Sequence, residues 1–159
     1  MIIVSSCLAG MKVRYNSTDC LDETIHQLLD NNRAVAVCPE LLGGFSTPRE
    51  PAEIVGGDGG AVLDGTAKVM DRLGNDVSEM YIQGAYKTLE QARNAGASIV
   101  VLKENSPSCG SSMIYNGAFA GQKIPGEGVT AALLRRNGIE VISEEQLPAR
   151  LGEMGSLDK

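Results

Sequence analysis

Asp76-Val77-Ser78-Glu79-Met80-Tyr81-Ile82-Gln83-Gly84-Ala85, running on through Leu89 and Ala92 to Gly96 and then into Ser98-Ile99-Val100-Val101-Leu102, decides the fold. Val77, Met80, Tyr81, Ala85, Leu89 and Ala92 recur at helical spacing. Asp76 with Glu79 three residues later matches a capping box, and Gly96 is placed to close the helix as its C′ residue. The short unbroken apolar run that follows has the pattern of a β-strand. Helix followed at once by strand is the unit from which parallel sheets are built.

The same unit recurs on both sides of this stretch. Met1-Ile2-Ile3-Val4 reads as a first strand. A helix capped by Thr18 or Asp19 then passes through Ile25, Leu28 and Leu29 to Asn31-Asn32, and Ala34-Val35-Ala36-Val37 is a second strand. Pro39 stops that ladder, and Gly43-Gly44, Pro48 and Pro51 keep the chain irregular to Ala52. Asp58-Gly59 and Asp64-Gly65 between short apolar stretches signal a small antiparallel hairpin over residues 53–71. Residues 105–128 form a structured loop with strand pairing expected around Ala118-Phe119-Ala120. A helix covers Val129 to Asn137, Gly138 ends it, Ile139 to Ile142 is a last strand, and Ser143-Glu144-Glu145-Gln146 is a capping box opening a short terminal helix. The expected fold is therefore α/β: a single domain over residues 1–152 with a mostly parallel, Rossmann-like sheet, helices on both faces and a small hairpin excursion, followed by a flexible tail over 153–159.

Composition narrows the function classes. A chain of 159 residues with 43% hydrophobic content fits one globular domain. Two Phe, four Tyr and no Trp offer few platforms for stacking bases, and 14 Lys+Arg against 20 Asp+Glu leave a net charge of −6. Both weigh against a nucleic-acid partner and favour a small ligand. No apolar run is long enough to cross a membrane and no secretion signal opens the chain, so a cytoplasmic location without a membrane partner is expected, with a homodimer as an open assembly state. Four cysteines in such a chain are more often metal-binding or catalytic than a disulfide frame.

Three of those cysteines share an address. Cys7, Cys38 and Cys109 each follow one of the apolar strand-like runs. In an open parallel sheet the ligand site lies outside the carboxyl ends of the strands, so three thiols far apart in sequence are gathered at one crevice. Taken singly, each is as well read as a small buried hydrophobe. Three thiolates suit iron-sulfur chemistry or zinc, and a three-ligand site leaves a coordination position open. Cys20, near the start of the first helix, has neighbours that do not single it out and reads as a plain helical position.

Around the three thiols stand groups with chemistry of their own. Glu40 follows Cys38 by two residues and could carry a proton. Ser106-Pro107-Ser108-Cys109-Gly110-Ser111-Ser112 puts hydroxyls and backbone amides at a strand end, where they can bind an anion or a heterocycle carbonyl. Arg14 and Arg49 lie in strand-end loops as bidentate donors, or pair with neighbours such as Glu50 and Glu53. His26, the one histidine, falls mid-helix and leaves a Ser-His-Asp or Cys-His mechanism without its base.

Ser5-Ser6-Cys7-Leu8-Ala9-Gly10, Arg14-Tyr15, Cys38-Pro39-Glu40, Gly43-Gly44, Pro48-Arg49-Glu50-Pro51-Ala52-Glu53, Gly84-Ala85, Leu102 to Gly110, Ile114-Tyr115-Asn116-Gly117 and Gly126-Glu127-Gly128-Val129-Thr130 together resemble the signature of a bacterial domain-of-unknown-function family. Some members of that family are 2-thiouracil desulfidases, in which three cysteines hold a 4Fe-4S cluster and the fourth iron takes the sulfur of the thiolated base. The resemblance implies Cys7, Cys38 and Cys109 as cluster ligands, Glu40 and Ser108 as catalytic groups, and a thiolated base as the small-molecule partner. Arg14, Arg49 and Ser106 are the expected substrate contacts, and the cluster is one that handling in air can strip. The chain departs from the family's usual words at Ala9 and at Asn16-Ser17, on the expected rim of the pocket. The alternative class is a non-catalytic small-ligand domain whose three cysteines hold zinc or a cluster.

Overall fold

In a computed structural model that describes residues 2–5, 23–31, 33–46, 50–103, 106–147 and 149–150, the chain runs β1 (Ile2–Ser5), α1 (Glu23–Asp30), β2 (Ala34–Val37), α2 (Pro39–Leu42), β3 (Ala52–Val55), α3 (Gly59–Asp64), β4 (Lys68–Asp71), α4 (Ser78–Asn94), β5 (Ile99–Leu102), β6 (Met113–Tyr115), β7 (Lys123–Pro125), α5 (Val129–Arg136) and β8 (Glu140–Ser143). The expected boundary between the domain and the 153–159 tail lies outside the described residues.

Four strands form one parallel sheet in the order β2-β1-β5-β8. Ile3 faces Val35 on one side and Val100 on the other, and Val101 faces Ile142. Every residue of β1 and β5 is buried, as the continuous apolar runs require of central strands covered on both faces. Alternation then sorts the side chains. Ile3, Val37, Val100, Leu102 and Val141 pack with Tyr81, Ala85, Leu89 and Ala92 of α4 and with Val129, Leu133 and Leu134 of α5. Ile2, Val4, Ala34, Ile99, Val101 and Ile142 pack on the opposite face with Leu28 of α1 and Leu147. The expected α/β layering with helices on both faces is what the chain adopts.

Helix α4 ends as its sequence signals: Gly96 takes φ +65°, and Ala97 N–H donates to Ala92 C=O. Its start differs by one residue, the N-cap being Val77. Asp76 accepts from Ser78 N–H at 3.0 Å, while Glu79 accepts from Gln83 at 3.4 Å and closes no capping box. The capping box at Ser143 has its return half, Ser143 N–H donating to Gln146 Oε1 at 3.0 Å.

Three local readings need correction. Strands β3 and β4 do pair antiparallel, with Glu53 opposite Met70, but no tight turn joins them. Asp58 caps α3 by accepting from Ala61 N–H at 3.1 Å, and Gly65 closes it at φ +83°, so the two Asp-Gly words are helix ends. After β2 the chain is not irregular at once: Pro39 opens α2 as its first residue, where a missing N–H removes nothing, and the described residues 43–46 and 50–51 beyond it form neither helix nor strand, as expected. The pairing expected at Ala118–Ala120 instead flanks it, with Ile114 opposite Ile124 and residues 117–121 forming the bend between β6 and β7. Across the α3–α5 contact, Arg136 makes two 3.0 Å bonds to Asp64, and that hydrogen-bonded guanidinium holds the Asp64 carboxyl below its usual range.

Candidate metal centre

The chain leaves β1 for β2 on one side and later returns to β5 on the other, so the strand order reverses across β1. Such a reversal opens a crevice at the carboxyl ends of the strands. Two loops of the sequence reading flank that point: Cys38 directly follows β2, and Ser106 to Gly110 follow β5. In sequence Cys7 stands two residues beyond β1, which ends between them. Cys7, Arg14, Cys20 and Arg49 lie outside the described residues.

Cys38 is the N-cap of α2. Its carbonyl accepts from Leu42 N–H, that of Pro39 from Gly43 N–H and that of Glu40 from Phe45 N–H, all at 3.0–3.1 Å. The short helix is pressed against α4 with no side-chain buffer. A Cβ on Gly43 would strike the carbonyl oxygen of Met80, and one on Gly84 would strike that of Pro39. Glu40, half-buried on α2, accepts a hydrogen bond at Oε2 from the Tyr81 hydroxyl of α4 at 2.9 Å. Cys38 itself is half-buried against the α1-side core and borders an open groove of about 240 Å³ lined by Ala36, Val37, Leu41, Leu42 and Gln91.

The loop after β5 is fixed by a different device. Ser106 Oγ accepts from Ser108 N–H at 3.1 Å and Cys109 N–H at 3.2 Å, and Ser106 C=O accepts from Gly110 N–H at 2.9 Å. The first amides of α5, which have no partner within their own helix, close on the same loop. Gly128 N–H donates to Gly110 C=O, Val129 N–H to Pro107 C=O and Thr130 N–H to Ser108 C=O, each at 2.8 Å. A Cβ on Gly128 would collide with the Ser108 carbonyl and stand 2.7 Å from Cys109 N. Ser108, 1% exposed, shares a 2.8 Å hydroxyl contact with Thr130, which is fully buried. Cys109 is 4% exposed and packs with the α4–α5 side of the core. Arg135 braces the loop by donating to Ser111 C=O and to Glu127 at 2.6 Å.

Glu40, Cys38 and Cys109 therefore stand on backbone locked at the carboxyl edge, one thiol from each side of β1. The hydroxyls of Ser106 and Ser108 are engaged inside the protein, in a turn and with Thr130 respectively. Sequence reasoning missed Tyr81 as the partner of Glu40 and Thr130 as the partner of Ser108. Tyr81 carried a signal, since a buried tyrosine needs an acceptor for its hydroxyl; Thr130 carried none, because its partner is 22 positions away.

Cys38 and Cys109 carry sulfur, the soft donor type that iron-sulfur clusters take. Among the described residues no group of three His, Cys, Asp or Glu side chains could hold a metal, and the third thiol of the expected set is Cys7. The residues present fit a three-thiolate cluster to that extent.

Residues 2–146 match the 2-thiouracil desulfurase family. The protein YbbK of Bacillus subtilis strain 168, described as uncharacterized, is 60% identical over 147 residues, which span 92% of this chain and 97% of the relative. The solved structure of the 4Fe-4S-dependent thiouracil desulfidase TudS matches with a TM-score of 0.85 at 44% identity, over 98% of this chain and 97% of that one.

Proposed function

The chain belongs to the 2-thiouracil desulfurase family, and from that membership we propose that it is an iron-sulfur-dependent desulfidase that removes sulfur from a thiolated pyrimidine such as 2-thiouracil. The observation that carries the reading is the pair of cysteines, Cys38 after β2 and Cys109 in the loop after β5, at the carboxyl edge on either side of β1 with Glu40 two residues from one of them.

Cys7, Cys38 and Cys109 would hold a 4Fe-4S cluster. With three protein ligands such a cluster supplies an open iron, a soft Lewis acid suited to a thiocarbonyl sulfur. The rest of the work falls to the chain. Replacing sulfur by oxygen consumes one water and releases sulfide, so protons must leave the incoming oxygen and reach the departing sulfur. Glu40 is the carboxylate proposed to carry them, and its Oε2 accepts from the Tyr81 hydroxyl. Arg14 and Arg49 are proposed as donors to the pyrimidine carbonyl. Ser106 and Ser108, with their hydroxyls engaged as described, contribute by holding Cys109 in place. A cluster of this kind suits the reducing cytoplasm, and among the described residues no helix is long and apolar enough to cross a membrane.

The test is anaerobic purification and reconstitution followed by sulfide release from 2-thiouracil. Glu40→Gln keeps the size of the side chain and removes its charge. The variant should hold a full complement of iron and bind 2-thiouracil, while turnover falls by a factor on the order of 10²–10⁴, the range of a lost acid-base group. Unchanged turnover in Glu40→Gln removes Glu40 from the reaction. Colourless parent protein with stoichiometric zinc and no sulfide release returns the chain to the small-ligand-binding reading.

A further inference from the structure

We propose that Tyr81 is a positioning residue for the reaction, its hydroxyl fixing the orientation of the Glu40 carboxylate; this rests on the desulfidase reading above. Tyr81 is only 3% exposed and lies on the core face of α4, where phenylalanine would fill the same volume. The hydroxyl is what phenylalanine lacks, and it donates to Glu40 Oε2 at 2.9 Å. An ionised carboxylate offers only acceptors, so the donor in this contact is the tyrosine, and a hydrogen bond to a charged group is among the stronger kinds.

The surroundings make the contact rigid at both ends. The ring of Tyr81 is covered by Phe45, with centroids 5.0 Å apart and planes tilted by 58°. Phe45 N–H is bonded in turn to the carbonyl of Glu40 at 3.1 Å, so backbone, ring and carboxylate close into one unit. Beneath it, Gly43 meets the backbone of Met80 and Gly84 meets that of Pro39, which leaves no room for α2 to slide along α4. A carboxylate mounted on a four-residue helix is thus referenced to a 17-residue one. Orientation of this sort acts on turnover: a small displacement of a reacting group costs far more in rate than in binding.

The experiment compares the parent, Tyr81→Phe, Glu40→Gln and the double variant, each reconstituted with iron under anaerobic conditions. Tyr81→Phe keeps the ring under Phe45 and so keeps the fold. Its kcat for sulfide release from 2-thiouracil should fall about 10- to 100-fold. KM, iron per chain and cluster absorbance should stay at the parent's values. In the Glu40→Gln background the same change should have no further effect on kcat, because the group through which it acts is already gone. A Tyr81→Phe variant as active as the parent overturns the inference, as does an equal loss in both backgrounds or a loss confined to iron content. A parent that holds iron but releases no sulfide overturns the desulfidase reading and this inference with it, whereas an active parent beside an unaffected Tyr81→Phe overturns this inference alone.

Discussion

Ser108 shows how a residue's neighbours change its meaning. In sequence it abuts Cys109 in a loop rich in hydroxyls, which makes it a natural partner for a substrate carbonyl. In the fold its hydroxyl is buried against that of Thr130 at 2.8 Å, while its carbonyl accepts from the first amides of α5. Removing one member of a buried pair leaves the other without a partner, and removing both is close to neutral. Ser108→Ala should therefore lower the unfolding free energy by about 1–3 kcal/mol. The double variant Ser108→Ala, Thr130→Val should recover most of that loss in denaturant titrations, and sulfide release should return with it. Stability that recovers while turnover stays low would give the Ser108 hydroxyl a role at the substrate.

Among the elements, two glycine contacts do the same task for the two cysteine loops. Gly84 of α4 seats α2, which carries Cys38 and Glu40, and Gly128 at the start of α5 seats the loop carrying Cys109. At both places the obstruction is backbone, which cannot rotate aside. Gly84→Ala should destabilise the protein by about 1–3 kcal/mol, as overpacked sites do, and should lower kcat for sulfide release by displacing Glu40 from Tyr81. Thermal unfolding beside steady-state turnover checks this, and unchanged values of both would mean that α2 and α4 part easily. These contacts also mark the limit of what could be read from the sequence. Strands β1, β2, β5 and β8 and helices α4 and α5 were legible because unbroken apolar runs and helical periodicity are local patterns. Helix α2 was not, since Pro39 is both a strand breaker and a good first helical residue, and only packing on α4 decides between them. Helix α3 was hidden by Asp58-Gly59 and Asp64-Gly65, words that suit a hairpin turn and a pair of helix caps equally well. The positions of Cys38 and Cys109 beyond β2 and β5 were legible because they depend on strand ends, whereas Tyr81, Thr130 and the glycine seams depend on which helix lies across which loop.

For the whole molecule, the strand order β2-β1-β5-β8 determines what a bound cluster would do to stability. Its expected ligands come from the chain after β1, after β2 and after β5, so a cluster would tie together three segments far apart in sequence. A group bound only by the folded state raises stability in proportion to the logarithm of its excess over the dissociation constant, about 2.7 kcal/mol at a hundredfold excess. In a domain of this size that corresponds to a rise in melting temperature of roughly 5–10 °C. Anaerobic reconstitution of the parent should produce such a rise and chelation should reverse it. Cys7→Ala, Cys38→Ala and Cys109→Ala should each lose most of the iron and most of the rise, because two remaining thiolates hold a cluster poorly. Cys20→Ala should keep both. The measurement is iron per chain beside the melting temperature before and after reconstitution for all four variants. Equal loss in Cys20→Ala would mean four protein ligands and a closed site, and a substrate sulfur could then reach iron only by displacing one of them.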